Sequence, residues 1–204
     1  MKIGIINYGL GNLKSLEMTI KNLGYDVEVV FSPKNLNKLD KVILPGVGSY
    51  SQAMELIRTN FWDEKIIEYT LGKKKFLLGI CLGMQILSSS GEEIKLTKGL
   101  NLIEGNVVNL KNLNCSEKVP HIGWNSIKKK VDSPLLKGIS QNTDFYFVHS
   151  YAFKPDNETN IVSLTDYGID FCSIINKNNI FGTQFHPEKS SFSGRKILKN
   201  FLDA

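Results

Sequence analysis

Short apolar runs alternate with amphipathic segments through the first half of the chain, and this alternation predicts strands that are followed by helices. Buried strands are predicted at residues 3–6, 27–31, 42–44 and 76–80. Between them, apolar residues recur every three or four positions. This spacing predicts helices at residues 13–23, 51–58 and 60–69, the last with Asn60 as its cap, and another that begins near Cys81. Such an order is typical of βαβ units, so we expect a parallel sheet.

Closely spaced strands replace this pattern from about residue 107. They are predicted at residues 107–110, 124–127, 145–148, 161–164, 171–175 and 180–185, with a last helix at 193–201. Such strands can extend the sheet in antiparallel fashion and build a smaller second layer. The predicted fold class is therefore α/β, a mostly parallel sheet flanked by helices with an additional antiparallel β layer. No repeat, low-complexity tract or linker is present, so residues 1–204 are predicted to form a single domain.

Composition excludes several classes of protein and partner. The 204 residues are 42% hydrophobic and 22% charged, which is close to the average for globular proteins and excludes a disordered chain, a collagen or a disulfide scaffold. The net charge is only +5, and the lysine triplets at 73–75 and 128–130 lack interleaved aromatic residues, so no nucleic-acid partner is expected. The first apolar run is too short for a signal peptide and no run approaches a membrane span. We therefore expect a cytoplasmic protein without a membrane partner.

Three cysteines, Cys81, Cys115 and Cys172, cannot all pair and lack the spacing of zinc ligands, so we expect no metal and no cofactor. Cys81 differs from the others because it lies in Gly-Ile-Cys-Leu-Gly (79–83), the Gly-x-nucleophile-x-Gly form of a tight strand-to-helix turn. Such a turn places the sulfur at a helix N-terminus, where the dipole favours the nucleophilic thiolate. A buried structural cysteine between two glycines is the alternative.

A base for this nucleophile is predicted at the end of the last strand. His186 and Glu188 lie two residues apart in Gln-Phe-His-Pro-Glu, so in an extended chain their side chains can share a face. A thiol nucleophile needs a base, and the base needs a group that fixes its tautomer. A solvated histidine and a surface carboxylate are the alternatives.

A turn with few side-chain atoms follows the third strand, in Pro-Gly-Val-Gly at residues 45–48. A backbone N–H of this turn can face the oxyanion that forms during acyl transfer, beside the N–H of Leu82. A turn without any chemical role is the commoner use of a Pro-Gly pair.

Together these motifs resemble those of class I glutamine amidotransferases. They read Gly-Ile-Cys-Leu-Gly-Met-Gln at 79–85 and Gln-Phe-His-Pro-Glu-Lys-Ser at 184–190. Four further stretches are similar to the glutaminase subunits of imidazole glycerol phosphate synthases, enzymes of histidine biosynthesis. They are Asn-Tyr-Gly-Leu-Gly-Asn-Leu (7–13), Pro-Gly-Val-Gly-Ser-Tyr (45–50), Pro-His-Ile-Gly-Trp-Asn (120–125) and Tyr-Phe-Val-His-Ser-Tyr (146–151). The resemblance covers nearly the whole chain in the family's order.

The resemblance implies that the chain hydrolyses glutamine to glutamate and ammonia through a cysteine thioester. Cys81 would attack the side-chain amide, His186 would transfer the protons and Glu188 would orient the imidazole. The implied oxyanion site is the backbone of Gly48 and Leu82. The implied substrate contacts come from Gln85, Ser150 and Tyr151. Two further histidines, His121 and His149, are expected to line the site in a structural role.

The resemblance also implies a heterodimer. In this family the glutaminase docks on a (β/α)₈-barrel cyclase, and ammonia passes through the barrel to the partner's active site, where imidazole glycerol phosphate and AICAR form. The enclosure has a physical purpose, since ammonia in neutral water is mostly protonated and is then not nucleophilic. The family's interface residues match Asn12, Trp124 and Lys189. For Trp124 a core position, and for Lys189 a solvated surface position, are the alternatives.

Two other functions stay open. Paralogues of these subunits supply ammonia for amidino-sugar synthesis in surface-polysaccharide pathways. The stretch at residues 99–105 departs from the usual family pattern, because Asn101 stands where glycine is usual and Glu104 where proline is frequent. A non-catalytic regulatory relative is the second alternative. Such relatives usually lose one of the three catalytic residues, whereas this chain has Cys81, His186 and Glu188.

Overall fold

The structure, a computed structural model, describes residues 1–204 as fourteen strands and five α-helices joined by short 3₁₀ and π turns. The strands are β1 (Ile3–Ile6), β2 (Val27–Val30), β3 (Lys41–Leu44), β4 (Phe76–Ile80), β5 (Ser90–Gly91), β6 (Thr97–Lys98), β7 (Gly105–Asn109), β8 (His121–Ser126), β9 (Lys128–Lys129), β10 (Asp144–His149), β11 (Tyr151–Pro155), β12 (Ile161–Asp166), β13 (Asp170–Lys177) and β14 (Ile180–Thr183). The helices are α1 (Leu13–Asn22), α2 (Tyr50–Thr59), α3 (Trp62–Ile67), α4 (Leu82–Gln85) and α5 (Ser191–Asp203).

Eight strands form the main sheet, in the order β2-β1-β3-β4-β14-β13-β12-β9. The strands from β2 to β14 run parallel, whereas β13, β12 and β9 continue the sheet in antiparallel fashion. A second, four-stranded sheet has the order β11-β7-β5-β6, and β10 and β8 form an antiparallel ribbon. The α/β class predicted from the sequence is confirmed, including the antiparallel strands of the second half.

Both faces of the parallel sheet are covered, because its strands send apolar side chains alternately to two layers. Ile5 belongs to a core shared with α1 and α5, whereas Ile6 belongs to a core shared with α2 and α3. Leu78 and Leu77 on β4 divide between the same two cores. A strand covered on both faces has no polar side, which explains the almost continuous apolar run at β4.

The parallel register brings three loops to one edge of the sheet. β3, β4 and β14 are neighbours, and Leu44 pairs with Gly79 while Thr183 pairs with Ile80 at the strand ends. Residues 45–48, Cys81 and residues 184–188 follow these three strands, so they meet at the carboxyl edge. This is where ligands bind in open α/β sheets.

The turn after β4 requires glycine at two positions. A Cβ atom on Gly83 would lie 1.8 Å from the carbonyl oxygen of Leu44, and one on Gly79 would lie 2.6 Å from the carbonyl oxygen of Gly83. The helix that follows, α4, is shorter than the sequence pattern indicates. It ends at Gln85, because the carbonyls of Ile86, Leu87 and Ser88 accept instead from the N–H groups of residues 100–103.

Several element boundaries differ from the sequence prediction. Asn60 does not cap α3; its side chain donates to the carbonyl oxygen of Leu56 (2.8 Å) and so closes α2, while the left-handed Phe61 (φ 58°) precedes α3. Strand β14 ends at Thr183, two residues early, and α5 extends the predicted last helix at both ends. The two-residue strands β5, β6 and β9 and the five-residue strand β11 were not predicted. No helix of the chain combines the length and the hydropathy needed to span a membrane.

Gly83→Ala is expected to lower the free energy of unfolding by about 3 kcal/mol, because the new Cβ would force the turn away from β3. Urea denaturation would measure the loss. Gly72→Ala is the matched control, since its Cβ would meet only Cγ of Glu68 at 3.9 Å. Equal stability of the two variants would contradict the close approach.

Candidate active site

Cys81 lies in the turn between β4 and α4 with φ 53° and ψ −111°, a combination that a non-glycine residue rarely adopts. Backbone hydrogen bonds hold it there: its N–H donates to the carbonyl of Thr183 (2.7 Å), and its carbonyl accepts from the N–H of Gln85 (3.1 Å). Its side chain reaches a cleft of about 330 Å³ and the residue is only 7% exposed. The turn therefore presents the sulfur at the base of a cleft, as the glycine motif predicted.

His186 lines the same cleft as Cys81, and its ring hydrogen-bonds to Glu188. Its Nδ1 is 2.9 Å from Oε1 of Glu188, and both side chains are 4% exposed. Because a carboxylate only accepts, Nδ1 carries a proton and Nε2 is left for the sulfur. The backbone is fixed as well, since the N–H of His186 donates to Tyr146 (3.0 Å) and Oγ of Ser190 donates to the carbonyl of His186 (2.7 Å).

The charge state of His186 depends on these two neighbours. Burial lowers the pKa of the ring, but hydrogen bonds and negative charge from Cys81 and Glu188 outweigh burial and raise the pKa to about 10. The imidazolium is therefore the favoured form in this site.

All residues predicted for substrate and oxyanion binding line the same cleft: Gly48, Leu82, Gln85, Ser150 and Tyr151. The amide of Gln85 has a defined orientation. Its Nε2 donates to the carbonyl of Tyr151 (2.9 Å) and to Oε1 of Gln184 (3.1 Å), so both of its hydrogens are used. The carbonyl oxygen of Gln85 is the group left to accept a hydrogen bond from a ligand.

Glu93 also lines the cleft, and sequence reasoning missed it. Its Oε2 accepts the N–H of Tyr50 (2.6 Å), which anchors the loop between β5 and β6 at the cleft wall. The side chain adds a negative charge to a cleft that otherwise holds few charged groups. No motif marks this residue, because its place depends on how the second sheet packs against α2.

Two buried histidines lie beside the cleft. His149 lines it, and its Nδ1 donates to the carbonyl of Tyr151 (2.9 Å), so its Nε2 accepts from Nδ1 of His121 at 3.0 Å. The ring of His121 stacks on Phe147 and Tyr167. Burial lowers the pKa of His149 to about 3 and that of His121 to about 4, so both are neutral at pH 7. This fits the structural role expected of them.

The residues predicted for partner contact lie at the surface around His186. Trp124 is 54% exposed, so it is not a core residue; its ring meets that of Tyr146 edge to face at 6.1 Å. Nζ of Lys189 lies 6.0 Å from the centre of the same Tyr146 ring. Asn12 is exposed and lines a small crevice that reaches His186 and Glu188. Sequence reasoning did not single out Tyr146, which joins Trp124 to Lys189.

The remaining cysteines lie away from the cleft. Burial raises the pKa of Cys172 to about 12, which keeps it a thiol, and Sγ of Cys115 donates to the carbonyl of Tyr167 (3.0 Å). No group of three His, Cys, Asp or Glu side chains is arranged to hold a metal ion.

The two unusual residues of the stretch 99–105 have local explanations. Asn101 adopts φ 52°, a left-handed conformation that asparagine tolerates better than most residues other than glycine. Its Oδ1 also accepts from Oγ of Ser89 (2.6 Å). Glu104 is exposed and pairs with Lys177 at 2.7 Å. Both substitutions therefore fit the backbone of this stretch, and neither residue lines the cleft.

Comparison with known proteins gives a consistent result. Residues 4–204 match the family "Glutamine amidotransferase class-I". The chain is 48% identical over 202 residues to "Imidazole glycerol phosphate synthase subunit HisH" of Methanocaldococcus jannaschii, covering 98% of each chain. It is 46% identical over 200 residues to the protein of the same name in Caldanaerobacter subterraneus, covering 98% of this chain and 96% of the relative.

Solved structures share the fold at low sequence identity. PurLQS from Thermotoga maritima superimposes with a TM-score of 0.78 at 17% identity, covering 99% of this chain and 97% of that one. A glutamine amidotransferase from the same organism gives a TM-score of 0.66 at 17% identity, covering 100% of this chain and 83% of that one.

Removal of either neighbour should lower the pKa of His186. Each of the variants Cys81→Ala and Glu188→Gln removes one source of negative charge beside the ring. The lowering of the pKa by burial is then less fully opposed, so the ring releases its proton at lower pH. Titration of the histidine ring resonances by NMR would measure the shift. The resonances of His121 and His149 serve as internal controls, since both rings stay neutral near pH 7. An unchanged His186 titration in both variants would contradict the coupling.

Proposed function

The chain belongs to the class I glutamine amidotransferase family, and on that premise we propose that it is the glutaminase subunit of an imidazole glycerol phosphate synthase. The observation that carries the proposal is that Cys81 and His186 line one cleft, with Glu188 hydrogen-bonded to His186, in a chain that is 46–48% identical to two relatives of that name. The reaction is the hydrolysis of glutamine to glutamate and ammonia, and the ammonia is used for histidine biosynthesis.

The proposed reaction proceeds in two acyl transfers. The thiolate of Cys81 attacks the amide carbon of the glutamine side chain and forms a tetrahedral oxyanion. The C–N bond then breaks, and His186 donates its Nε2 proton to the leaving nitrogen, which departs as ammonia. A water molecule next gives a proton to Nε2 and attacks the γ-glutamyl thioester, and the C–S bond breaks to release glutamate and restore the thiolate. Glu188 holds Nδ1 throughout, so Nε2 always faces the reacting atoms.

The cleft offers groups for both ends of the substrate. We assign the oxyanion to the backbone N–H groups of Gly48 and Leu82, because both residues line the cleft beside Cys81. At the other end, the free carbonyl oxygen of Gln85 and the carboxylate of Glu93 complement the ammonium group of an amino acid. Ser150 and Tyr151 complete this wall.

The partner in this proposal is a (β/α)₈-barrel cyclase that forms a heterodimer with the chain. Trp124 and Ile122 are 54% and 59% exposed and lie two residues apart on β8, so they share one face of the strand. Exposed apolar side chains next to a charged one, here Lys189, are typical of a protein interface. Since Lys189 directly follows Glu188, a partner docked here would contact the segment that carries the base. Asn12, which lines the crevice that reaches His186 and Glu188, would contact the same partner.

The three cysteines are free thiols, which is typical of a reducing compartment, and we assign the activity to the cytoplasm. The histidine pathway is favoured over amidino-sugar synthesis by the names of the two relatives.

Copurification with a barrel cyclase, followed by an ammonia-transfer assay on the histidine-pathway ribonucleotide, tests this assignment. With glutamine as the nitrogen source, product should form only when the barrel is paired with the active chain. Ammonium salt at high concentration should support the barrel alone, which controls for the cyclase itself. Glutamine hydrolysis without transfer to this nucleotide would favour the sugar pathway, and no hydrolysis at all would favour a regulatory protein.

Cys81→Ala should lower glutamate production by at least about 10³-fold, because no other group of the cleft can form the thioester. Glutamate release from glutamine would be measured in the presence of the barrel partner. Cys115→Ala removes a buried thiol outside the cleft and should retain activity. Substantial turnover in the Cys81 variant would refute its role as nucleophile.

Trp124→Ala should weaken association with the barrel by more than about tenfold, since a large exposed aromatic residue at an interface often dominates affinity. Isothermal titration calorimetry would measure the dissociation constant. Leu71→Ala is the control, because Leu71 is similarly exposed (53%) and precedes β4 at the opposite edge of the sheet. Equal affinities of the two variants would place the partner elsewhere.

A further inference from the structure

A chain of side-chain amides leads from the backbone to the sulfur of Cys81. Nε2 of Gln85 donates to the carbonyl of Tyr151 at 2.9 Å and to Oε1 of Gln184 at 3.1 Å. Nε2 of Gln184 in turn lies 3.7 Å from Sγ of Cys81, within hydrogen-bond distance for sulfur. Gln184 is fully buried and does not line the cleft, so it has no access to a ligand.

The direction of these hydrogen bonds follows from one backbone group. A carbonyl oxygen only accepts, so the carbonyl of Tyr151 requires the nitrogen of Gln85 to face it. That nitrogen requires the oxygen of Gln184 on its other side. The nitrogen of Gln184 is then the end that points at Cys81, and no rotation of either amide improves the network.

We propose that Gln184 is a positioning residue that stabilises the thiolate of Cys81 by donating an N–H to its sulfur. An N–H donor is worth more beside a charged acceptor than beside a neutral one, so it shifts the sulfur toward its anionic form. This stabilisation of the thiolate adds to that from His186, which lies two residues after Gln184 in the segment that follows β14. The inference rests on the proposed function only in that the same thiolate is the nucleophile for glutamine.

A buried amide suits this task because it carries no charge of its own. A lysine in its place would be costly to bury, and it would oppose the positive charge of His186. The amide instead supplies a fixed dipole that stays in place during the reaction. The titratable groups near Cys81 are Glu93, His149 and His186, which line the same cleft, Tyr8, and Glu188, which hydrogen-bonds to His186.

The test is the pH dependence of Cys81 alkylation by iodoacetamide, read from the peptide that contains Cys81 by mass spectrometry. Gln184→Met keeps the length of the side chain and removes both the donor to Cys81 and the acceptor for Gln85. Gln184→Glu keeps the acceptor for Gln85 and replaces the donor with a carboxylate. We expect the alkylation midpoint to rise by about one pH unit in the Met variant, the amount that corresponds to one hydrogen bond to a charged group. The Glu variant should shift further, because its charge opposes the thiolate.

Glutamine hydrolysis gives a second readout. In Gln184→Glu, which keeps the acceptor for Gln85, we expect kcat to fall more than about tenfold while KM stays within about twofold, because Gln85 keeps its hydrogen-bond partner and Gln184 itself does not line the cleft. Gln141→Met alters an exposed glutamine outside the cleft and should leave both the midpoint and the kinetics unchanged.

An alkylation profile of folded Gln184→Met or Gln184→Glu that superimposes on that of the unaltered protein would overturn the proposal. Thermal unfolding of each variant identifies the folded ones. If one replacement prevents folding, the alkylation profile of the other still tests the proposal. The alkylation result does not depend on glutamine turnover. A shifted midpoint in a protein without glutaminase activity would therefore refute the proposed function alone, and an unshifted midpoint in an active glutaminase would refute the role of Gln184 alone.

Discussion

The close approach of the turn after β4 to the end of β3 is the constraint on which the site depends. Gly83 lies so near the carbonyl of Leu44 that no side chain fits between them. This approach allows Cys81 to adopt its unusual backbone conformation and point its sulfur into the cleft. It also brings residues 45–48 beside the N–H of Leu82, so nucleophile and oxyanion groups come from two neighbouring strands. If β3 were not a direct neighbour of β4, residues 45–48 would lie away from Cys81 and Leu82.

Much of this arrangement could be predicted from the sequence, because its determinants are local. Two glycines around Cys81, a strand that ends near His186 and a Pro-Gly turn each mark a strand end, and parallel strands put such ends at one edge. Glu93 and Tyr146 could not be predicted in this way. Glu93 comes from a loop between two-residue strands, and Tyr146 matters because β10 pairs with β8, so both depend on long-range packing that leaves no local signal.

The boundaries that the sequence misplaced have a similar origin. Asn60 has the chemistry of a helix cap, but its side chain can serve the helix before it as well as the one after it, and a hydrogen bond to Leu56 decides between them. The helix after Cys81 is apolar enough to continue, yet the carbonyls beyond Gln85 accept hydrogen bonds from residues 100–103 instead. In both places a tertiary contact overrides the helical pattern.

The central claim is that Cys81 is the nucleophile for the side-chain amide of glutamine. The most direct measurement uses a glutamine analogue with a diazoketone in place of that amide, followed by mass spectrometry of the digested protein. The account predicts one covalent adduct per chain, on the peptide that contains Cys81, and protection of that peptide by excess glutamine. Modification of Cys115 or Cys172 with Cys81 left free, or labelling that glutamine does not slow, would contradict it.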